Sequence, residues 1–143
     1  MLKNISKLIS PSLLKVLMEM GHGDEIVIAD GNFPAASKAK ILIDCDGLNA
    51  SDLLAAILEL FPLDTYVESP VMLMKIVAGD EGNKPQIWDT YQKLVNEYEK
   101  NDINVSYLER QEFYERSEKA YAIVKTSEMA LYGNLILKKG VIN

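Results

Sequence analysis

Gly21-His22-Gly23-Asp24-Glu25-Ile26-Val27-Ile28-Ala29-Asp30 is the stretch where the pattern of the chain changes period, and that change sets the fold class. Ahead of it, Leu13, Leu14, Val16, Leu17 and Met20 recur at helical spacing, with Ser10 as N-cap and Pro11 in the first helical position. Gly21 is a natural stop for that helix. Residues 25–29 form a short, largely β-branched run compatible with a buried strand, and Asp30-Gly31-Asn32-Phe33-Pro34 is a loop. His22 is the only histidine of the chain. Imidazole titrates near neutrality, so a histidine on a glycine-flanked turn beside carboxylates is a candidate for proton transfer. On this segment alone, a solvated turn histidine accounts for it equally well.

Outward from that stretch the alternation continues. Ile41-Leu42-Ile43 resembles another strand, and a helix is expected over about 50–60, with Leu53, Leu54, Ile57 and Leu58 inward and Pro62 beyond its end. Residues 71–78 supply a third strand and 79–83 a turn. Pro85 opens a helix whose Ile87, Trp88, Tyr91, Leu94, Val95 and Tyr98 share one face, most simply a core stripe. A weaker strand is expected over 105–108, a helix over 111–119, a strand over 121–125 and a final strand over 134–138. Crossover helices must bury their apolar stripes on the sheet they connect. The expectation is therefore one α/β domain over 1–143, a three-layer α/β/α arrangement with helices on both faces of the sheet. The order of the strands is not readable from these patterns, and no internal repeat is present.

Composition narrows the chemistry. The chain has 143 residues, 48% of them hydrophobic, enough for a real core in one domain. A net charge of −6 argues against a nucleic-acid partner, since phosphate backbones are bound by clustered Lys and Arg. Lys138-Lys139 is the only adjacent basic pair. Cys45 is the sole cysteine, which leaves no intrachain disulfide or cysteine-based metal cluster and fits a reducing cytoplasm. No stretch is apolar for long enough to span a bilayer. With one imidazole and one thiol, a catalytic zinc is not expected either.

Ligands of open α/β sheets bind where strands end and loops begin. Asp30 and Tyr132-Gly133-Asn134 stand at such edges. Asp30 is suited to accept hydrogen bonds from vicinal hydroxyls, or simply to shape its own turn. Asn134 offers a donor and an acceptor, and Tyr132 an aromatic face tipped by a phenol; either also serves as a capped strand end. Arg110 and Tyr114, four apart at a helix start, share a face and suit a polyol, although with Glu109, Glu112 and Glu115 nearby, spacing alone favours an ordinary solvated surface. Neither 79–83 nor Gly21-His22-Gly23 matches a nucleotide-binding fingerprint.

Gly21-His22-Gly23-Asp24-Glu25, Asp30-x-x-Phe33-Pro34, Asp46-Gly47-Leu48, Leu63-Asp64-Thr65-Tyr66 and Phe113-Tyr114-Glu115-Arg116 together resemble the L-fucose mutarotase family. The resemblance continues through Ala120-Tyr121-Ala122-Ile123-Val124 and Leu131-Tyr132-Gly133-Asn134-Leu135-Ile136-Leu137-Lys138-Lys139-Gly140. Only about 79–104 is unmarked, apart from Pro85-Gln86-Ile87-Trp88. It implies an isomerase that interconverts the α and β anomers of L-fucose in fucose metabolism, by acid/base-catalysed ring opening and closure, with no cofactor and no metal. It further implies His22 as proton donor and Tyr114 as a second catalytic group. Asp30, Asp64, Arg110, Tyr132, Gly133 and Asn134 would contact the sugar. A ring-shaped homodecamer with sites at subunit interfaces is implied as well. Cys45 and Ser127 depart from the pattern, where Ala and Gly are expected. A glycine at 127 would suggest a positive φ, which serine adopts only at a cost. The related D-ribose pyranase branch shares the Gly-His and Tyr-x-Asn elements but not the Phe-Tyr-Glu-Arg run or the Leu-Lys-Lys-Gly ending, which favours fucose over ribose. Pyranose–furanose exchange on D-ribose and a non-catalytic sugar-binding subunit are the alternatives.

Overall fold

The computed structural model describes residues 1–82 and 84–143. Among them the elements run α1 (Pro11–Glu19), β1 (Glu25–Ala29), α2 (Ala35–Lys38), β2 (Leu42–Cys45), α3 (Ala50–Leu58), β3 (Val71–Met74), α4 (Ile87–Glu99), β4 (Val105–Leu108), α5 (Arg110–Lys119), β5 (Ala122–Thr126) and β6 (Leu135–Lys138). The turn expected over 79–83 ends on Asn83, which lies outside the described residues. Local chemistry starts α1 as read, the Leu13 N–H donating to the Ser10 hydroxyl, and at α3 the Asp52 N–H donates to the side chain of Asn49, a cap not singled out in the sequence.

The strands form one sheet in the order β2-β5-β1-β6-β3-β4. β5 is parallel to β1 and β2, and β3 to β4, whereas β6 runs antiparallel to both β1 and β3. Alternation along β1 divides the core. Ile26 and Ile28 face a layer built with Leu13, Val16 and Leu17 of α1, Leu53, Leu54 and Ile57 of α3, and Tyr91 and Val95 of α4. Val27 and Ala29 face the opposite layer, with Ala35 of α2 and Phe113 of α5. Helices thus cover both faces, as expected.

Several boundaries differ from the sequence reading. α2 is a single helical turn just after the loop read over 30–34, in residues given no assignment, and its four residues are too few to show a period. β3 stops at Met74 rather than running on to 78, because β6 begins at Leu135, opposite Leu73, and leaves later residues no partner on that side. α1 does not end on a left-handed Gly21: Met20 is extended, and Gly23 carries the positive φ of this turn, 85°.

Candidate active site

The five strands that run parallel, β1 to β5, point their carboxyl ends to one edge of the sheet, and β6 starts there. Asp30 follows β1, Asn134 precedes β6, and Arg110 opens the helix after β4. The result is an open cavity of about 250 Å³ lined by Asp30, Asn32, Phe33, Met74, Val77, Arg110, Tyr114, Leu131, Tyr132 and Asn134. Asp30 and Asn134 are joined directly, the Asp30 N–H donating to Asn134 Oδ1 at 2.7 Å. Asp30 is only 4% exposed. Burial pushes its carboxyl above the ordinary value, against the N–H groups of Asn32, Phe33 and Gly133 and the Asn134 side chain, which favour the ionised form.

Tyr132 is held in a left-handed conformation, φ 57°, which a side chain adopts only under constraint. The constraint comes from α4: Trp88 Nε1–H donates to the Tyr132 carbonyl at 2.9 Å, and the Tyr91 hydroxyl to the Gly133 carbonyl at 2.7 Å. Gly133 has no room for a Cβ, which would stand 2.9 Å from the Ala130 carbonyl oxygen. The Tyr132 hydroxyl donates to Asp80 at 2.9 Å. On the facing wall, Arg110 Nε–H donates to the Tyr114 hydroxyl at 3.3 Å. The Arg110 guanidinium and the Lys38 ammonium lie 5.4 and 4.9 Å from the Tyr114 ring centre.

His22 and Asp64 lie at the opposite edge of the sheet. His22 precedes β1, and Asp64 is tied to the end of β6, its N–H donating to the Lys138 carbonyl. The five residues of β1 alone span about 16 Å between the two edges. Within one chain, therefore, Asp30, Arg110, Tyr114, Tyr132, Gly133 and Asn134 come together, and His22 and Asp64 come together, but the two groups do not meet. His22 Nε2 is 3.1 Å from Asp64 Oδ1, and its ring packs 5.3 Å from that of Tyr66. The Asp64 side chain is 3% exposed and that of His22 44%. Burial alone would raise the Asp64 carboxyl; the Tyr66 N–H, the His22 hydrogen bond and charge, and the Lys138 charge outweigh it and hold it below the ordinary value. An ionised carboxylate only accepts, so the Nε2–H donates, and in the neutral form of the ring Nδ1 carries the lone pair.

Gly140 makes this arrangement possible. A Cβ there would collide with the Leu63 carbonyl oxygen and stand 2.8 Å from Asp64 Cα, all backbone, so the Leu63-Asp64 segment could not lie so close. Ser127 departs from expectation: it has no positive φ, and its hydroxyl instead accepts the Gly47 N–H at 2.7 Å, tying the end of β5 to the turn after β2. Cys45 is buried in the core. The residues that sequence reasoning missed are Trp88 and Tyr91, whose helical spacing hid the polar tips aimed at the 132–133 carbonyls. A larger depression, about 520 Å³, lies by Gly23, Glu25, Lys40, Arg116 and Lys119, with Arg116 paired to Glu25, and holds none of the expected sugar ligands. Among the described residues, no group of three or more His, Cys, Asp or Glu is disposed to hold a metal ion.

Residues 3–142 match the RbsD / FucU transport protein family. A fucose mutarotase of Mus musculus is 51% identical over 147 residues, covering 99% of this chain and 95% of the mouse protein. The fucose mutarotase of Streptococcus pneumoniae, solved in complex with L-fucose, superposes with a TM-score of 0.94 at 56% identity, covering 99% of this chain and all of that one. Bacillus subtilis RbsD, solved with D-ribose, superposes at 0.72 with 25% identity over the full length of both.

Proposed function

The chain belongs to the RbsD / FucU transport protein family, and from that membership we propose that it is a fucose mutarotase, an isomerase that interconverts the α and β anomers of L-fucose. Higher identity and closer superposition to fucose mutarotases than to the ribose-bound RbsD support fucose as the substrate. The observation that carries the reading is the pocket at the carboxyl edge: a buried carboxylate, an amide, a guanidinium and two phenols converge there beside the apolar Phe33, Met74 and Leu131. Such a mixture suits a sugar with several hydroxyls and a methyl group.

Mutarotation removes the proton of the anomeric hydroxyl and protonates the ring oxygen, so that the C1–O5 bond breaks to an open-chain aldehyde. Rotation about C1–C2 and reversal of both transfers closes the other anomer. In the proposed site, Asp30 and Asn134 hold vicinal hydroxyls, with Arg110, Tyr132 and the Gly133 backbone completing the grip. Tyr114 accepts from Arg110, which turns its own O–H outward as one proton carrier. The other is His22 Nδ1, with Asp64 behind the ring fixing the tautomer and stabilising the imidazolium. Although Asp64 is expected among the sugar contacts, its buried carboxylate faces His22, and its first task is to orient that ring.

Separation of the two groups by the width of the sheet supports a site completed in trans. His22 of one copy reaches the pocket of its neighbour, a head-to-tail contact that closes as a ring; the proposed assembly is the homodecamer of the family. Tyr66 at 74% exposure and Leu131 at 62% are apolar surface suited to burial there. A cytoplasmic setting is proposed too, supported by the single, buried and unpaired Cys45. No described helix is long and apolar enough to cross a membrane.

Saturation-transfer NMR on L-fucose tests the chemistry. His22→Asn is expected to slow anomer exchange by about a hundredfold to ten-thousandfold. Exchange at the wild-type rate in that variant would remove His22 from the mechanism.

A further inference from the structure

The turn carrying His22 is held by a residue far away in sequence. α1 has no basic residue in its last turn, and Met20 leaves the helix in an extended conformation. The cation that satisfies this helix end comes from the segment after β6: Lys139 Nζ donates to the Leu17 carbonyl at 2.7 Å and to the Met20 carbonyl at 2.5 Å. The backbone of the same residue grips the other side of the turn. Gly23 N–H donates to the Lys139 carbonyl, and Lys139 N–H to the Asp24 carbonyl, both at 2.8 Å. Within the turn, the Gly21 N–H donates to Asp24 Oδ2 at 2.7 Å. His22 therefore sits on a short loop whose entry and exit are both bonded to one lysine, next to the Lys138 carbonyl that anchors Asp64.

We propose that Lys139 is a positioning residue for proton transfer: by clamping residues 20–24 from both sides, it fixes where the His22 ring is presented to the sugar. This rests on the assignment of His22 as the proton carrier. The sugar pocket lies at the far edge of the sheet and contains nothing bonded to Lys139, so loss of the clamp disturbs the chemistry and spares the grip on substrate. A lysine that merely stabilises α1 would leave the chemical step unchanged in the folded protein.

Lys139→Met removes the ammonium and keeps the length of the side chain. In the assembled enzyme, kcat for anomer exchange is expected to fall about tenfold to a hundredfold, the scale set by misplacing a reacting group by about an ångström. KM for L-fucose is expected to change by less than about twofold. Because His22 is the only histidine, its ring signals in 15N–1H NMR are assigned without ambiguity; they are expected to broaden or double. An unchanged kcat, a loss confined to KM, or a kcat loss with unchanged His22 signals overturns the proposal. Should Lys139→Met not fold, Lys139→Arg is measured instead. Its bulkier cation displaces the two carbonyls, and the same split of kcat from KM with altered His22 signals is required. His22→Asn run in parallel keeps the two failures apart. Full exchange in that variant removes the catalytic histidine, whereas a dead His22→Asn beside a wild-type Lys139→Met removes only the clamp.

Discussion

Asp30 and Asp64 are both buried carboxylates, at 4% and 3% exposure, yet their environments push them in opposite directions. Asp64 faces an imidazole and a nearby ammonium, so its charge is compensated before substrate arrives. Asp30 is raised, chiefly by burial, and its neighbours only partly offset the cost of the ionised form. In the proposed site, hydroxyl donors from the sugar would favour that ionised form and lower the carboxyl on binding. With a free-state value above the ordinary 3.8 and a lower bound-state value, affinity is full at neutral pH and falls as pH drops through the raised free-state value. Calorimetric titration with L-fucose from neutrality to about pH 4 should show this weakening in the wild type and a flat profile in Asp30→Asn. Equal pH dependence in both would detach Asp30 from the sugar.

Helix α4 contributes no side chain expected to touch substrate, but it determines the shape of the 132–133 segment proposed to do so. Its Trp88 and Tyr91 are bonded to the Tyr132 and Gly133 carbonyls, holding Tyr132 at a positive φ beside the cavity. Tyr91→Phe leaves the buried Gly133 carbonyl without that partner. It should cost about 1–3 kcal/mol in denaturant unfolding and raise KM for L-fucose. Unfolding and KM both at wild-type values would mean the 131–134 segment keeps its shape unaided. At this scale the sequence was informative for type and position. The Ser10-Pro11 start, the α4 stripe and the β-branched runs all became the expected elements, because cap chemistry and side-chain period act over a few residues. The single turn α2 and the early end of β3 were not readable. The first is shorter than a period, and the second is decided by where a strand more than sixty residues away begins.

Across the whole molecule, the two groups of candidate residues lie on opposite edges of one sheet, and the proposal that they are halves of one shared site predicts a complementation result. His22→Asn and Asp30→Asn are each expected to be inactive alone. Co-assembled in equal amounts, about one site in four should pair an intact His22 from one copy with an intact Asp30 pocket from another, if each site draws on two copies at random. Recovery of about a quarter of wild-type exchange supports a shared site; no recovery in a mixed oligomer verified by native mass spectrometry argues for sites contained in single chains. Residue types and local periods were sufficient to read a helix-covered sheet and to single out His22, Asp30, Tyr132 and Asn134 as candidates, since these depend on neighbours in the chain; Asp64 and the role of each group came only with the family resemblance. Local patterns were silent on where β6, expected as a final strand over 134–138, enters the sheet. Its antiparallel insertion between β1 and β3 brings Asn134 to Asp30 at one edge and Lys138, Lys139 and Gly140 to Asp64 and His22 at the other. That placement depends on pairing with segments far away in the chain, such as Leu137 with Ile26 and with Val71, a choice made by burial and register of the complete sheet and left unspecified by local spacing.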